Sequence, residues 1–260
     1  MAELITKKEN AIGWVIFSNP AKLNAVSYDM WKALPGALGA FEADSEVRAI
    51  VITGDGDKAF ISGADISQFE KARGSAEAQA MYNSAVTDAY LAPMRCAKPV
   101  IARIRGICIG GGLGLAAACD LRFAADDAVF RMPAARLGLG YAYAGIQRFV
   151  QLLGQANAAD IFYSARKFDA ADAMRMGFLN RLVPAAALDA EVAAYCATLA
   201  ENAPLTIAAA KFTIRQALED GATRDLAKVQ QMIDACFASA DYNEGRTAFM
   251  EKRKPDFKGR

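Results

Sequence analysis

Residues 99–114 read PVIARIRGICIGGGLG, and this stretch indicates more about the fold than any other part of the chain. An apolar strand ends there, three consecutive glycines follow, and Leu113 to Cys119 then has the composition of a tightly packed helix. A glycine turn between a strand and a helix leaves backbone N–H groups without partners at the helix N-terminus, where partial positive charge collects. Such a turn stabilises an anion, and in a closed site it stabilises an oxyanion that forms during a reaction.

The composition excludes several classes of function. The chain has 260 residues, of which 54% are hydrophobic, enough for one large domain or for a core with a smaller satellite. With 30 basic and 29 acidic residues the net charge is +1, which favours neither nucleic acid nor an acidic membrane surface as a partner. The chain contains no histidine, and this excludes Ser-His-Asp and Cys-His catalysis, a histidine general base and most catalytic zinc sites.

The cysteines are odd in number and scattered through apolar surroundings, and no two of them have the spacing of metal ligands. They are Cys96, Cys108, Cys119, Cys196 and Cys236. We therefore expect reduced core cysteines and no metal site. Apolar runs of membrane-spanning length are absent, and the acidic residues near the N-terminus argue against a transit peptide, so we expect a cytoplasmic protein without membrane contact.

The order of predicted elements favours the α/β class. Strands are predicted at residues 4–6, 12–17, 49–53, 99–104 and 121–124, and helical segments separate the later ones. Strands that alternate with helices in this way pair in parallel. Beyond about Ala144 the pattern becomes helical, and Arg181 to Val183 is the only strand that we predict there. The sequence thus predicts an α/β core followed by a helical C-terminal module.

Two glycine-containing segments together resemble the paired signatures of the crotonase superfamily, the enoyl-CoA hydratase/isomerase group. They are AFISGADI at residues 59–66 and GICIGGG at residues 106–112. Three further segments are also similar to that family: NPAKLNA at residues 19–25, AADAMRMGFLN at residues 170–180 and FMEKRKP at residues 249–255. A single glycine loop is weak evidence, but here the similarity extends over nearly the whole chain.

The resemblance implies a crotonase-like spiral of ββα turns in residues 1–195, which carries an acyl-CoA site. Residues 196–260 then form a C-terminal helical trimerisation module, and the protein is a homo-oligomer, a trimer or a dimer of trimers. The implied ligand is an acyl-CoA thioester, with no cofactor beyond the CoA of the substrate. By the same resemblance, the backbone N–H groups of Ala64 and Gly111 hold the thioester carbonyl oxygen. Two such donors stabilise an enolate by about 3 kcal/mol each.

The resemblance also implies a set of substrate-binding residues. Lys22 and Lys58 fall where cations approach the CoA phosphates, and Lys252 reaches over from a neighbouring subunit; the alternative for each is a solvated surface lysine. The adenine and pantetheine groove is lined by Leu23, Ala25, Ser62, Asp65 and Ile66, with Asp65 as a structural acid of the turn. Ile107, Gly110, Pro133 and Ala134 complete the set.

The chain departs from the family at its acid/base positions. Hydratases carry one glutamate just after the glycine turn and a second after the proline of the next loop, and these positions are Gly114 and Ala134 here. The acid that isomerases carry near Ala142 is missing as well. Adding water across a double bond requires groups that activate the water and protonate the α-carbon. We therefore do not expect ordinary hydratase activity.

Tyr141 is the best-placed protic group left on the critical loop, and it resembles a tyrosine of methylmalonyl-CoA decarboxylases in the same superfamily. Loss of carbon dioxide from a 2-carboxyacyl thioester generates the enolate directly, without a base. Those decarboxylases, however, have a histidine at the position of Ala64, and Tyr141 is equally consistent with a half-buried aromatic residue whose hydroxyl is satisfied. Three functions stay open: a lyase or isomerase of the superfamily that passes through an enolate, a decarboxylase using Tyr141, and a non-catalytic acyl-CoA-binding protein.

Overall fold

The computed structural model describes residues 2–65 and 75–260, and within them the chain forms two sheets flanked by helices. The strands are β1 (Glu3–Glu9), β2 (Ile12–Ser18), β3 (Ala49–Gly54), β4 (Ala59–Ile61), β5 (Val100–Ile104), β6 (Ile107–Ile109), β7 (Leu121–Ala125), β8 (Val129–Arg131), β9 (Lys167–Asp169) and β10 (Arg181–Val183). The helices are α1 (Tyr28–Ala43), α2 (Ala76–Arg95), α3 (Gly111–Ala118), α4 (Tyr143–Ser164), α5 (Ala170–Arg175), α6 (Leu188–Ala200), α7 (Pro204–Ala217), α8 (Leu226–Ala238) and α9 (Ala240–Glu251). The predicted α/β class is confirmed.

The larger sheet has the strand order β1-β2-β3-β5-β7-β10, and all of its pairs are parallel except β1 with β2. The smaller sheet has the order β4-β6-β8-β9. Each turn of the chain contributes one strand to the larger sheet, the next strand to the smaller sheet, and then a helix: β3-β4-α2, β5-β6-α3 and β7-β8-α4. This succession is the spiral of ββα turns that the sequence resemblance implied.

Parallel pairing in the smaller sheet decides where the loops lie. Because β4, β6 and β8 run in the same direction, the segments that follow them leave the sheet at one edge. These segments are residues 62–65, Gly110 and residues 132–133. Segments that are about 20 to 45 residues apart in the sequence are therefore neighbours in space.

The helical part differs from the sequence prediction at one strand. We predicted only Arg181 to Val183 as a strand beyond Ala144, and this is wrong because β9 (Lys167–Asp169) pairs antiparallel with β8. Charged residues flank Phe168 on both sides, so β9 lacks an apolar run of its own and depends on its partner. Phe168 stacks on Phe130, with ring centroids 5.4 Å apart, and this contact holds β9 against the sheet.

The module boundary predicted after residue 195 falls inside α6. Along that helix Leu188, Val192 and Cys196 are buried together with Val51 and Ile101, so the helix covers one face of the larger sheet. The division into two modules stays a prediction. In the described ranges, 2–65 and 75–260, no helix has the length and apolarity needed to cross a membrane.

Backbone segments approach each other closely at three glycines, one within a spiral turn (Gly54) and two between successive turns (Gly106 and Gly112). A Cβ atom placed on Gly54 would lie 2.2 Å from the carbonyl oxygens of Ala59 and Phe60. A Cβ on Gly106 would lie 2.1 Å from the oxygen of Lys58, and one on Gly112 would lie 2.5 Å from the oxygen of Ile61. No side chain fits at these distances, so the tight winding of the spiral requires glycine at all three positions.

We expect Gly112→Ala to lower the free energy of unfolding by about 3 kcal/mol, because the new methyl group overlaps the backbone of β4. The matched control is Gly39→Ala in the exposed part of α1, where nothing lies within 4 Å of the new methyl group. That change should stabilise the protein by about 0.5–1 kcal/mol through backbone entropy. Urea denaturation measures both, and equal effects of the two substitutions would contradict the close approach.

Candidate active site

The first loop of the site, residues 62–65, follows β4 and bridges to the segment before α1. Val26 donates its N–H to the oxygen of Gly63 at 2.8 Å, and Asp65 donates its N–H to the oxygen of Val26 at 2.9 Å. In a parallel bridge of this kind the intervening residue, Ala64, directs its own N–H away from Val26. In the described part of the chain that N–H donates to no other group.

The second loop is Gly110, which connects β6 to α3. Gly110 has φ 57°, a conformation that favours glycine, and its N–H donates to the oxygen of Arg131 at 2.9 Å. Gly111 is the first residue of α3, so its N–H has no acceptor within the helix. Among the described residues nothing else accepts a hydrogen bond from it. The partial positive charge of the helix N-terminus therefore lies at this amide.

The opposite end of α3 is held by two cationic side chains. Arg122 is 2% exposed and donates from Nη1 to the oxygen of Cys119 at 2.8 Å and from Nε to the oxygen of Phe178. Arg148 donates from Nε to the oxygen of Ala117 at 2.8 Å. Burial lowers the pKa of Arg122 to about 10, which leaves it protonated at neutral pH. Both cations thus satisfy the negative end of the helix dipole.

The two loops lie against each other. A Cβ atom on Gly110 would lie 3.9 Å from the Cα atom of Gly63 and 3.7 Å from Cδ of Pro133. The loops after β4, β6 and β8 therefore converge, and they place the amides of Ala64 and Gly111 in one region of the molecule. Two backbone N–H groups on adjacent loops, with no acceptor among the described residues, are the kind of donors from which an oxyanion hole is built.

Gly114, the position at which the resemblance implies a glutamate in hydratases, has two tyrosines beside it. A Cβ atom on Gly114 would lie 2.6 Å from the hydroxyl oxygen of Tyr90 and 3.2 Å from that of Tyr141. Tyr90 also donates its hydroxyl to the oxygen of Gly111 at 3.2 Å. Ala134, the second position at which the resemblance implies a glutamate, is 6% exposed and begins a short 3-10 turn. Glycine at position 114 is thus required by the two hydroxyl groups that occupy the space.

Burial keeps both phenols neutral at physiological pH. It raises the pKa of Tyr90 well above 10, with further increases from Tyr141, Tyr82 and Cys108 nearby. It also raises the pKa of Tyr141, while the hydrogen bond with Tyr90 acts in the opposite direction and lowers it. The space beside Gly114 is therefore occupied by two neutral hydroxyl groups.

Sequence reasoning missed Tyr90. The residue lies on α2, which is reached through residues that the structure does not describe, and in the sequence it looks like one more core residue of an amphipathic helix. Its position beside Gly111 and Gly114 follows only from the packing of α2 on α3. Trp31 of α1 completes this packing, since its ring meets that of Tyr90 edge-on at 5.7 Å between centroids.

The residues predicted to contact CoA lie around the first loop. Lys22 forms an ion pair with Asp65, with Nζ 3.0 and 2.9 Å from the two carboxylate oxygens. The hydroxyl of Ser62 donates to the oxygen of Lys22 at 3.0 Å, and the N–H of Ser62 donates to the oxygen of Leu23 at 3.1 Å. Asp65 is 8% exposed, so it anchors Lys22 to the loop as the structural acid that the sequence suggested.

The other predicted contacts are spread more widely. Ala25 is buried, Lys58 is exposed at the turn before β4, and Ile107 is half-buried in β6. Lys252 is exposed at the C-terminal end of α9, where it adopts φ 55°. Ile66 lies outside the described residues. In the described ranges no cluster of three histidine, cysteine, aspartate or glutamate side chains has the geometry to hold a metal ion.

Comparison with known proteins agrees with this geometry. The family model described as enoyl-CoA hydratase/isomerase matches residues 7–260. A short-chain-enoyl-CoA hydratase of Clostridium acetobutylicum is 32% identical over 258 residues, which cover 99% of this chain and 98% of the relative. The chain therefore belongs to the enoyl-CoA hydratase/isomerase family, and the resemblance to the crotonase superfamily is confirmed.

Solved structures lead to the same family. An enoyl-CoA hydratase/carnithine racemase from Magnetospirillum magneticum superimposes with a TM-score of 0.92 and 33% identity, covering 100% of this chain and 97% of the other. A putative enoyl-CoA hydratase/isomerase family protein from Hyphomonas neptunium has a TM-score of 0.94 and 32% identity, with coverage of 99% and 98%. The crotonase-like fold class is thereby confirmed.

We expect Gly114→Ala to destabilise the protein by about 2 kcal/mol, because its methyl group must displace the Tyr90 hydroxyl. A double-mutant cycle with Tyr90→Ala isolates this contact, since removing the ring removes the overlap. The coupling free energy, measured by urea denaturation of the four proteins, should be about 2 kcal/mol. Additive effects of the two substitutions would mean that Tyr90 does not occupy the space beside Gly114.

Proposed function

We propose that this protein binds an acyl-CoA thioester and stabilises its enolate through the backbone N–H groups of Ala64 and Gly111. The observation that supports this most is the pair of unpaired amides on converging loops, one of them at the N-terminus of α3. Family membership supports the ligand class, because relatives of similar length are named enoyl-CoA and crotonyl-CoA hydratases.

The amides act on the charge that develops during reaction. When a bond at the α-carbon breaks, its electron pair moves into the thioester carbonyl, and the oxygen becomes negative. Donors that are already in place stabilise this oxygen without reorganisation, and each contributes about 3 kcal/mol in a site that excludes water. The dipole of α3 adds to the attraction because its positive end is at Gly111.

The CoA moiety is proposed to bind beside the first loop. Lys22 is half-exposed and fixed in direction by Asp65, so its ammonium group is held where a phosphate can share it. Lys58 and Lys252 are proposed as further phosphate contacts, with Lys252 reaching the site of a neighbouring subunit. The exposed side chain of Leu23 and the backbone of Ala25 and Ser62 are proposed to line the adenine and pantetheine groove.

Decarboxylation is the reaction that the site favours. Water addition requires a general base, and the two positions that carry glutamates in hydratases hold Gly114 and Ala134. A 2-carboxyacyl thioester forms its enolate by losing carbon dioxide, without a base, and then requires only an acid at the α-carbon. The hydroxyl of Tyr141 lies one helical turn from Gly111, beside Gly114, and this position supports Tyr141 as that acid.

Mass spectrometry in heavy water tests this proposal with a panel of enoyl-, saturated and 2-carboxyacyl-CoA thioesters. We expect loss of carbon dioxide from a 2-carboxyacyl substrate and deuterium at the α-carbon of the product. Hydration at an ordinary enzymatic rate would contradict the argument from Gly114 and Ala134. If every thioester is bound but returned unchanged, the protein is an acyl-CoA-binding protein without catalysis.

Two substitutions at one position test the role of the Gly111 amide. Gly111→Pro removes the N–H at the first position of a helix, where proline is tolerated, and should lower the rate by about 100-fold or more. Gly111→Ala keeps the N–H but adds the same Cβ atom, which would lie 3.1 Å from the Trp31 ring. Equal losses in the two variants would show that packing, and not the hydrogen bond, is responsible.

We also propose a homo-oligomer, a trimer or a dimer of trimers, assembled through the C-terminal helices. Large apolar side chains are exposed there: Ile214, Leu218, Leu226, Phe237, Phe249 and Met250. Phe249 and Met250 are 82% and 80% exposed, and a concentration of large exposed apolar side chains on these helices supports an interface.

Light scattering after size-exclusion chromatography should give the mass of three or six chains. Phe249→Asp should shift the protein toward smaller species, because a carboxylate is costly to bury at an apolar interface. The control is Tyr163→Asp, a change at an 82% exposed aromatic residue on α4, outside these helices. A wild-type protein with the mass of one chain would overturn the proposal.

A further inference from the structure

We propose that Tyr90 is a positioning residue for Tyr141, and that the two hydroxyl groups together replace the carboxylate missing at position 114. The inference rests on the proposed enolate chemistry and specifies how that chemistry obtains its proton. Tyr90 of α2 and Tyr141 of the loop before α4 place their hydroxyl groups over the same residue, Gly114 of α3.

The hydroxyls converge because each ring is held from behind. The ring of Tyr90 meets Trp31 edge-on at 5.7 Å, and its hydroxyl donates to the oxygen of Gly111 at 3.2 Å. The ring of Tyr141 meets Phe162 edge-on at 5.2 Å. Aromatic pairs in this geometry are favourable and restrict rotation of the rings. Both hydroxyl oxygens therefore point into the space over Gly114.

The position of this pair suits proton delivery to an enolate. Gly111 and Gly114 are three residues apart in α3, so they lie on the same face, about 5–6 Å from each other. An oxyanion held at the Gly111 amide has its α-carbon two bonds away, on a substrate that lies over this face. A short movement therefore brings the hydroxyl of Tyr141 to the α-carbon.

The hydroxyl of Tyr90 donates its one proton to the oxygen of Gly111, and the hydroxyl oxygens of Tyr90 and Tyr141 lie over the same residue, Gly114. When the bond to the carboxylate carbon breaks, its electron pair forms the enolate. Tyr141 then donates its proton to the α-carbon and becomes a phenolate. The carboxylate carbon leaves as carbon dioxide, and the proton of Tyr90 turns from Gly111 to the phenolate and stabilises it. The phenolate finally takes a proton from water, which leaves hydroxide.

This arrangement limits the substrates that the site can use. Burial keeps both tyrosines protonated at neutral pH, and the other titratable groups whose charge affects Tyr90, namely Tyr82 and Cys108, also raise its pKa. A neutral pair donates a proton but does not remove one from water or from an α-carbon. The site is therefore suited to thioesters whose enolate forms without a base, such as 2-carboxyacyl-CoA.

The test uses methylmalonyl-CoA in heavy water and measures both the rate and the configuration of the monodeuterated α-carbon in the product. We expect the wild type to give one configuration, and Tyr141→Phe to lose about 100-fold in kcat and to give both configurations. Tyr90→Phe should lower kcat about 10-fold with KM unchanged, and its product should be partly of the opposite configuration. The control Tyr143→Phe, at a 78% exposed residue of the same segment, should change neither.

A second measurement tests the interaction between Tyr90 and Tyr141 without catalytic turnover. With 3-fluorotyrosine in place of Tyr141, fluorine NMR follows the pKa of this phenol as the pH is raised. Tyr90→Phe should move that pKa upward, because the phenolate loses its hydrogen-bond donor. An unchanged pKa, or a Tyr90→Phe enzyme with unchanged kcat and product configuration, would overturn the role of Tyr90. If the wild type leaves every thioester unchanged, the proposed function fails, and the titration still decides whether Tyr90 positions Tyr141.

Discussion

Contact between the backbones of successive spiral turns is the constraint on which the other features of this protein depend. At Gly106 and Gly112 a side chain of any size would overlap a carbonyl group of the preceding turn. This close approach brings the loop after β4 against the loop after β6, and it is the reason that Ala64 and Gly111 lie in one region. A chain with larger residues at these positions would have to widen the spiral, and the two amides would separate.

Helix α3 depends on the same winding. It is buried almost throughout and carries no side-chain cap at its N-terminus, so its first N–H groups are available to a ligand. Its C-terminal carbonyls are instead satisfied by Arg122 and Arg148 from later elements. Buried guanidinium groups are costly unless every N–H finds an acceptor, and here backbone oxygens supply them. Arginine side chains therefore satisfy the carbonyl groups at one end of the helix, while no side chain caps the N–H groups at the other end.

The chemistry of the site follows from neutral groups. Burial raises the pKa of the phenols of Tyr90 and Tyr141, so both are protonated at neutral pH. The same burial that keeps them protonated also fixes their rings against Trp31 and Phe162. The packing that holds the two rings therefore also directs their hydroxyl groups toward Gly114.

The sequence by itself determined the α/β class and the family, because these follow from local motifs and their spacing. That Gly114 and Ala134 replace two catalytic glutamates stays a prediction. The sequence also indicated Tyr141, which lies on a loop with a recognisable motif. It did not reveal β9, whose one apolar residue, Phe168, lies between two charged ones. Nor did it reveal Tyr90, whose partners Gly111 and Gly114 follow it by more than twenty residues. Those features were decided by the tertiary structure. A hydroxyl acquires a role in a site only from the groups that packing brings within hydrogen-bonding distance, and sequence periodicity does not record such distances.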